Sequence, residues 1–271
     1  MNESQFLALK RKTSTFKYTS LNYTSFENVC EYEILLDDCD IVLLYGYDEE
    51  SNYFQYLWAC NNVEIFIEAI SNKKDDVMIQ FIPESWVLSL KNVGFELYAI
   101  WNDYINSDIT NVNYDKKPEF LTEKDCLEAA ILTQSCRGQS RGFSGQTEQW
   151  MKEWLNGTEP SAVDGGSTDF AVLIHRENGD IVGVICTAIY AHDSTKGPIC
   201  WIREVAVAKE FQNRGIAQKL INEALTYGKN HGATRAFLMA DECNENAIHL
   251  YNKLGFTSDK SERQIDMIKI Y

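Results

Sequence analysis

The sequence predicts an α/β (α+β) protein with two domains, the second of which has a mixed sheet flanked by helices. A length of 271 residues with 45% hydrophobic content is enough for two well-buried cores. Two β-rich runs, 170–175 and 181–190, are separated by Asn178-Gly179, a dipeptide typical of tight hairpins, and they predict an antiparallel pair. A strand-like run at 199–207, an amphipathic helix and the apolar run 234–240 then predict a right-handed parallel crossover.

The N-terminal half, residues 1–115, shows strand-like and helix-like segments in alternation. Strands are predicted at 41–47, 53–59, 77–82 and 95–101, and helices at 62–70 and 84–92. Residues 113–119 are polar and contain Pro118, which disfavours helix before it. They are therefore predicted to link this domain to a second one over residues 116–271.

The second domain is predicted to begin with two helices. Thr122 is expected to cap a helix that runs to Gln134, with Asp125 completing a variant of the capping box. A polar, glycine-rich segment at 136–145 separates it from a tryptophan-bearing helix. Further along, Gly255 is expected to end a helix in a left-handed conformation, and residues 265–271 are expected to close the sheet as a strand.

The segment from Gln212 to Ala217 joins the strand 199–207 to a helix, and its composition suits an anion. Apolar residues recur at three- and four-residue spacing over 216–225, which places the helix start near Gly215. A helix start carries unpaired backbone N–H groups and a partial positive charge, and both attract phosphate oxygens. Glycine allows close approach to the main chain, and Arg214 can add a charged contact. The sequence therefore predicts a diphosphate site formed by Gln212, Asn213, Arg214, Gly215, Ile216 and Ala217.

The order Gln-x-x-Gly-x-Ala after a Val-x-Val strand resembles the acetyl-CoA signature of the GNAT N-acetyltransferase superfamily. A second part of the chain, Asn-Ala-Ile-His-Leu-Tyr-Asn-Lys-Leu-Gly-Phe at 246–256, looks like that family's second hallmark. The resemblance covers residues 118–271. It implies a GNAT fold with a mixed, mostly antiparallel central sheet flanked by helices, and acetyl-CoA as co-substrate.

The resemblance also implies roles for individual residues. The backbone of Val205, Ala206 and Val207 is expected to pair with the pantetheine arm as an added strand would. Asn246 is expected to contact the pantetheine or a phosphate. Tyr251 matches the tyrosine that donates a proton to the departing thiolate, and a phenol with a pKa of about 10 is protonated at neutral pH. A tyrosine that only packs is the alternative for this position.

Glu204 is the candidate general base. A carboxylate on the strand beside the thioester could deprotonate an ammonium group, directly or through a water. Strand alternation places Glu204 on the face opposite Val205, and a structural ion pair with Arg203 is the alternative. Asp241 and Glu242 are further candidates for binding a cationic amine, with a merely solvated pair of loop charges as the alternative.

The N-terminal half is interpreted as a degenerate copy of the same fold. Leu-Lys-Asn-Val-Gly-Phe at 90–95 resembles Tyr-Asn-Lys-Leu-Gly-Phe at 251–256, and the order of the elements is similar in the two halves. The glycine-containing loop is missing there, so no CoA site is expected in this half. An unrelated α+β domain is the alternative. In either case this half is expected to shape the acceptor site or an interface.

Composition limits the partners. A formal net charge of −15 disfavours nucleic acid and anionic lipid, because both are polyanions. No apolar run is long enough for a membrane span, and residues 1–6 lack the pattern of a signal peptide, so a cytoplasmic protein is expected. Eight scattered cysteines without Cys-x-x-Cys predict reduced thiols, and four histidines without cysteine partners at ligand spacing predict no metal site.

The sequence thus predicts a cytoplasmic N-acetyltransferase that moves the acetyl group of acetyl-CoA to a primary amine of a small molecule or peptide in a ternary complex. The acidic composition hints at polyamine, aminoglycoside or lysine-like acceptors, and a homodimer is left open. Two alternatives remain: a non-catalytic acyl-CoA-binding sensor or partner module, and a transferase that takes its acyl group from aminoacyl-tRNA.

Overall fold

The computed structural model describes residues 1–49, 51–258 and 263–271. The chain forms two compact units, one of residues 1–100 with 263–271 and one of residues 101–262. The division falls inside a strand, between Ile100 and Trp101, and the predicted linker 113–119 lies within the second unit. The assignment of residues 1–115 and 116–271 to separate domains stays a prediction.

The first unit contains every strand and helix predicted between residues 41 and 101. Its helices are α1 (Glu3–Thr13), α2 (Phe26–Val29), α3 (Val63–Ile70) and α4 (Val87–Asn92), with 3-10 turns at Leu21–Tyr23 and Glu84–Trp86. Its strands are β1 (Glu33–Asp37), β2 (Ile41–Asp48), β3 (Tyr53–Cys60), β4 (Val77–Ile79) and the first part of β5 (Glu96–Asn106). The sequence did not predict α1, α2 or β1. In α1 only Phe6, Leu9 and Thr13 are buried, which gives a weak periodic signal.

The second unit follows the order predicted for the C-terminal half. Its strands are β6 (Glu119–Phe120), β7 (Thr168–Glu177), β8 (Asp180–Tyr190), β9 (Ile199–Val207) and β10 (Arg235–Asp241). Its helices are α5 (Cys126–Ser135), α6 (Glu148–Asn156), α7 (Pro160–Asp164), α8 (Ile216–Asn230) and α9 (Glu245–Lys253), with 3-10 turns at Glu123–Asp125 and Lys209–Phe211. The hairpin predicted at Asn178-Gly179 is present, with φ of 54° and 98° at these two residues.

The capping box predicted at Thr122 is wrong in its contacts. The Thr122 hydroxyl donates a hydrogen bond to the Asp125 carboxylate, at 2.5 Å, and the side chain makes no bond to the helix backbone. The chain first forms a 3-10 turn here, and α5 begins only at Cys126. The two side chains therefore form a hydrogen bond with each other instead of with the backbone N–H groups at the helix start.

The two units share one order of strand pairing. In the first unit β1–β2 and β2–β3 are antiparallel and β3–β4 is parallel. In the second unit β7–β8 and β8–β9 are antiparallel and β9–β10 is parallel, as the predicted crossover requires. An antiparallel strand then follows in each: β11 (Arg263–Lys269) beside β4, and residues 101–106 of β5 beside β10. The predicted mixed, mostly antiparallel sheet flanked by helices is confirmed.

The position of β11 differs from the expectation that 265–271 closes the sheet of the C-terminal half. Met267 lies opposite Ile79 of β4, in the first unit. Ile265 and Met267 are buried with the side chains of α3 and α4. The choice of partner therefore depends on long-range packing, which local sequence does not encode.

Both faces of the sheet in the second unit are covered by apolar clusters. One cluster is centred on α8 and includes Leu220, Ile221 and Ala224. The other joins α5 and α6 to β7 and β8 through Ala130, Met151 and Trp154. Among the described residues, none of the helices combines the length and the apolar character needed to cross a bilayer.

Candidate active site

The site begins where β9 and β10 separate. The two parallel strands pair over three residues, and the last described pair is Trp201 with Phe237. Beyond it β9 continues to Val207, paired with β8, and β10 continues to Asp241, paired with β5. The facing edges of 202–207 and 238–241 thus form an opening in the sheet, which we call the splay.

The backbone of Val205 and Val207 faces the splay. The Ala208 N–H donates to the Val182 carbonyl across the β8–β9 pair, at 3.0 Å. Because successive residues of an antiparallel strand bond to opposite sides, the polar groups of Val205 and Val207 point away from β8. The Val207 carbonyl accepts a hydrogen bond from the Gln212 side chain, at 3.0 Å. Among the described strands, none pairs with Val205 on the side of the splay, and the pairing of its N–H and carbonyl with the pantetheine arm stays a prediction.

The loop after β9 places a helix start beside the splay. Gly215 precedes α8 with φ of 80°, in the left-handed region that favours glycine, and a Cβ built there would meet nothing within 4 Å. Asn213 also has a positive φ, 60°. Residues 212–215 are exposed, whereas Ile216 is buried against the α8 cluster. The glycine therefore turns the chain so that the first turn of α8 opens to solvent.

The start of α8 carries a set of unused backbone donors. In the part of the chain that the structure describes, the N–H groups of residues 214–218 have no hydrogen-bond acceptor, and no side chain caps the helix. The corresponding helix of the first unit, α3, is different. Its first donors, the Glu64 and Ile65 N–H groups, bond to the Asn62 side chain at 2.8 and 3.1 Å. Of these two helices, α8 is thus the one whose start leaves donors for an external anion.

The side chains of the loop have partners of their own. Arg214 donates to the Glu210 carbonyl, at 2.9 Å, and its guanidinium lies over the Phe211 ring and 3.5 Å from Glu177. Gln212 binds the Val207 carbonyl and the Gln139 side chain. The Glu177 contact is exposed and contributes little, so Arg214 can turn to an anion at small cost.

Tyr251 lies on α9 in the same apolar cluster as Val205. Its ring is 9% exposed and packs against Tyr104 and Phe256, with ring centroids 6.2 Å away in both cases. Burial, together with the nearby Glu204 carboxylate and Tyr104, raises the pKa of Tyr251 to about 12. A phenol with a raised pKa keeps its proton at neutral pH and can donate it to a ligand.

The helix that carries Tyr251 ends at Gly255 in the predicted left-handed conformation. Gly255 has φ of 85°, and the Phe256 N–H donates back to the Tyr251 carbonyl at 3.0 Å. These contacts form the left-handed helix end that Leu-Gly-Phe indicated. Phe256 is fully buried and packs on the tyrosine ring, so it holds Tyr251 in place.

Glu204 lies on the other face of β9, as alternation predicted. An irregularity between Cys186 and Thr187 in the β8 register places both Arg203 and Glu204 toward α5 and α6. Glu204 is 5% exposed and accepts from the Gln146 amide, at 3.3 Å, and from Arg203, at 3.4 Å. Glu204 thus forms the ion pair with Arg203 that was the structural alternative, and its role as a general base stays a prediction.

The first turn of α9 presents two asparagines, only one of which the sequence singled out. Asn246, the predicted ligand contact, is exposed. Asn244 caps α9, and its side chain accepts from the Ala247 N–H at 3.3 Å. The sequence signal for Asn244 was its position directly before the helical run, where a capping residue is expected. The role of Asn246 stays a prediction.

The residues that form the candidate site lie in a part of the chain that matches a known protein family. The profile of the acetyltransferase (GNAT) family matches residues 136–256, which contain the splay, the α8 loop and α9. Residues 136–256 form a GNAT-family domain.

Two related proteins are named as N-acetyltransferases, in agreement with the family. The chain is 27% identical over 169 residues to an uncharacterised N-acetyltransferase of Methanocaldococcus jannaschii, covering 61% of this chain and 66% of that protein. It is 39% identical over 86 residues to N-alpha-acetyltransferase 30 of Schizosaccharomyces pombe, covering 31% of this chain and 55% of that protein. The chain thus spans between about half and two thirds of the length of these relatives.

Solved structures share the fold. A GCN5-related N-acetyltransferase of Sphaerobacter thermophilus superposes with a TM-score of 0.55 at 15% identity, covering 84% of this chain and 76% of that chain. A GNAT-family acetyltransferase of Colwellia psychrerythraea superposes with a TM-score of 0.53 at 11% identity, covering 100% of this chain and 98% of that chain. At these identities the likeness is one of fold.

The GNAT domain holds its α5–α6 segment, residues 136–147, through an ion pair that the sequence did not reveal. Two guanidinium nitrogens of Arg141, Nε and Nη2, donate hydrogen bonds to the carboxylate of Asp241, the last residue of β10. The carboxylate is 1% exposed. The expected alternative, a solvated pair of loop charges, is therefore wrong for Asp241. Its carboxylate is already bound by a guanidinium and would meet a cationic amine only in competition with Arg141.

Proposed function

We propose that the second unit binds acetyl-CoA and transfers its acetyl group to a primary amine of a small molecule or peptide, by direct attack in a ternary complex. The observation that carries the proposal is the juxtaposition of two sets of unused backbone groups. One set is the N–H groups at the start of α8, and the other is the edge of β9 at Val205. A GNAT signature covers both, and no other described helix start combines these features.

The proposed binding uses the main chain more than side chains. The N–H groups from Arg214 to Gln218 would donate to the diphosphate oxygens, and the field of α8 would favour their charge. The pantetheine amides would pair with the edge of Val205 as a short added strand. Gln212 holds the Val207 carbonyl, so it would fix the edge of the groove, and Asn246 would contact the ligand from α9.

The residues of the site then suit acyl transfer. The amine nitrogen forms a bond to the thioester carbonyl carbon, and the carbon–sulfur bond breaks. Glu204, held by Gln146 and Arg203, accepts the proton that the amine loses, directly or through a water. Tyr251 gives its proton to the thiolate and regains one from solvent, and Glu204 releases to solvent the proton that it accepted. The products are the amide and the CoA thiol, so protons and electrons balance.

The first unit is proposed to bind no CoA. Asn62 already caps α3, and only Asn61 and Asn62 separate that helix from β3. The matching order of strand pairs supports the interpretation of this unit as a degenerate copy of the GNAT fold. The whole chain should therefore bind one acetyl-CoA.

Calorimetric titration of the full chain with acetyl-CoA tests the proposal, followed by a thiol-release assay with primary amines and mass measurement of the product. One site per chain and an acetylated amine are expected. Absence of acetyl-CoA binding contradicts the proposal. Binding without release of thiol for any amine favours a non-catalytic acyl-CoA sensor instead.

A further inference from the structure

One face of the second unit's sheet carries a row of aromatic and apolar side chains next to the splay. We call it the aromatic strip, and its members are Tyr190, Trp201, Phe237, Met239 and Ile105. The Tyr190 ring packs edge-on against Trp201 and Phe237, with centroid distances of 6.2 and 6.5 Å. The strip thus crosses four neighbouring strands, from β8 to β5.

The strip lies on the face opposite α8. Leu238, Ala240 and Tyr104 belong to the α8 cluster, so their neighbours Phe237, Met239 and Ile105 point to the other side. Ile105 is the partner of Phe237 in the β5–β10 register, which places the two side chains in contact range.

The strip is accessible although its members are large and apolar. Met239 is 37% exposed and Ile105 is 42% exposed, while the three aromatic residues are half-buried. Side chains of this kind on adjacent strands form a continuous apolar surface, which is a common sign of a binding site.

The strip adjoins the proposed acyl position. Trp201 and Phe237 form the last pair before the splay opens, and Arg203 and Glu204 follow on the same side of β9. Arg203 lies over the Trp150 ring, 5.9 Å from its centroid, so a further aromatic residue borders the same area. An amine that reaches Glu204 would place the rest of its molecule on the strip.

The charges around the strip are nearly balanced. Four carboxylates, those of Asp103, Glu204, Asp241 and Glu242, lie near three guanidiniums, those of Arg141, Arg203 and Arg235. Arg141 pairs with Asp241 and Arg203 pairs with Glu204, whereas Arg235 is fixed by Ser194 and the Gly197 carbonyl. A polyamine or aminoglycoside needs several carboxylates in excess, and these described groups give an excess of only one.

We propose that the acceptor carries a single amine on an aromatic or similarly flat apolar group, which stacks on the strip while the amine reaches Glu204. This inference rests on the proposed acetyl transfer. Tyr190, Trp201 and Phe237 offer both ring faces and ring edges, and aromatic groups prefer such offset or edge-on contacts. The acceptor class is thus set by packing on a nearly neutral surface and not by the acidity of the whole chain.

A matched set of amines tests this inference with the full-length protein. Phenylethylamine, ethylamine and spermidine share the primary amine and differ in the ring and in charge. The kcat/KM for phenylethylamine should exceed that for ethylamine by about tenfold or more, because burial of a ring is worth that much, and should exceed that for spermidine as well. Equal values, or a preference for spermidine, would overturn the inference.

Two variants connect the preference to the strip. Phe237→Ala and Met239→Ala should raise KM for phenylethylamine about fivefold or more and leave KM for ethylamine unchanged, since only the ring loses its contact. Met239 is the less buried of the two, so Met239→Ala alone can be used if Phe237→Ala fails to fold. Ile131→Ala, on the outer face of α5 at 58% exposure, is the control and should change neither KM. Loss of affinity for both amines in the strip variants would contradict the proposal.

Calorimetry separates this inference from the proposed function. If acetyl-CoA does not bind, the acetyl-transfer proposal fails. If acetyl-CoA binds and no amine is acetylated, titration of the CoA-saturated protein with phenylethylamine and ethylamine decides the inference alone. Tighter binding of phenylethylamine that Met239→Ala removes supports it, and equal binding of the two amines overturns it.

Discussion

Arg141 and Asp241 form a bidentate ion pair that fastens the α5–α6 segment to the end of β10. The Arg141 Nε atom is 3.0 Å from Oδ2 of Asp241, and Nη2 is 2.7 Å from Oδ1. Trp101 lies beneath the same segment, and a Cβ built on Gly142 would lie 2.4 Å from its ring. The contacts that hold the segment bordering the proposed acceptor side of the GNAT domain thus include a buried charge pair and a close glycine contact.

Removal of Arg141 should destabilise the protein strongly. Arg141→Ala removes the guanidinium that pairs with the buried Asp241 carboxylate, and loss of one member of a buried ion pair costs about 3 kcal/mol or more. Urea unfolding measures the loss. Arg137→Ala is the matched control, because Arg137 lies in the same segment and donates only to the Ser144 carbonyl. Equal losses in the two variants would show that the ion pair with Asp241 is not what holds the segment.

Replacement of Tyr251 should separate turnover from binding. Tyr251→Phe keeps the buried ring and removes the proton donor, so kcat should fall about 100-fold while KM for acetyl-CoA changes less than about twofold. Tyr104→Phe is the control, because its ring packs against Tyr251 and is also buried. A parallel fall in acetyl-CoA affinity would identify Tyr251 as a packing or binding residue.

The pH dependence of kcat gives a second view of Tyr251. Its pKa is raised to about 12 by burial and the Glu204 carboxylate, and a raised pKa keeps the acid protonated as pH increases. The profile should therefore show no alkaline fall from Tyr251 below about pH 11. An alkaline fall near about pH 9 that disappears in Tyr251→Phe would contradict the raised pKa.

Replacement of Gly215 should lower both stability and CoA affinity, and replacement of a second glycine separates these two effects. Gly215→Ala forces a side chain into the left-handed region, at a cost of about 1 kcal/mol, and disturbs the start of α8. Gly232, just beyond the other end of α8, also has a positive φ, and a Cβ built there likewise meets nothing within 4 Å. Gly232→Ala should lose similar stability with unchanged CoA affinity, whereas Gly215→Ala should weaken CoA about tenfold. Equal CoA affinities in both variants would contradict the assigned site.

Glu223 should destabilise the protein at neutral pH. Both oxygens of this buried α8 carboxyl lack hydrogen bonds among the described residues, and Lys219 Nζ is 3.8 Å away. Burial raises the pKa of Glu223 above its ordinary value. The folded state thus holds this proton more tightly than the unfolded state. Stability should fall as pH rises through the ordinary carboxyl range up to the folded pKa, and it should stay lower above it.

The variant Glu223→Gln tests this pH effect, because it keeps the shape of the side chain and removes the ionisation. The free energy of unfolding at about pH 8 should rise relative to the wild type, and the gain should shrink at about pH 4. Glu245→Gln, at an exposed position of α9, is the control and should have little effect. A variant that is less stable at the higher pH would show that Lys219 stabilises the ionised carboxylate.

Local sequence predicted the parts of the fold that local physics decides. The hairpin at Asn178-Gly179, the helix end at Gly255 and the start of α8 near Gly215 each depend on a few adjacent residues. Strand alternation predicted that Glu204 faces away from Val205, whereas the irregularity that places Arg203 on the same side as Glu204 left no such pattern. These features define much of the candidate site.

The remaining features depend on contacts between distant residues. Neither the pairing of β11 with β4 nor the bond between Arg141 and Asp241, separated by 100 residues, leaves a local pattern. The aromatic strip was equally invisible, because Tyr190, Phe237 and Ile105 meet only after four strands assemble. Such features need the register of the sheet, which one sequence does not supply.

An NMR titration that follows backbone amide shifts tests the claim that the N–H groups of residues 214–218 bind the diphosphate of CoA. We predict that CoA shifts these amides strongly, that pantetheine, which has no diphosphate, does not, and that the capped amides of Glu64 and Ile65 in α3 respond to neither. Binding of CoA that leaves the amides of residues 214–218 unchanged would contradict the claim.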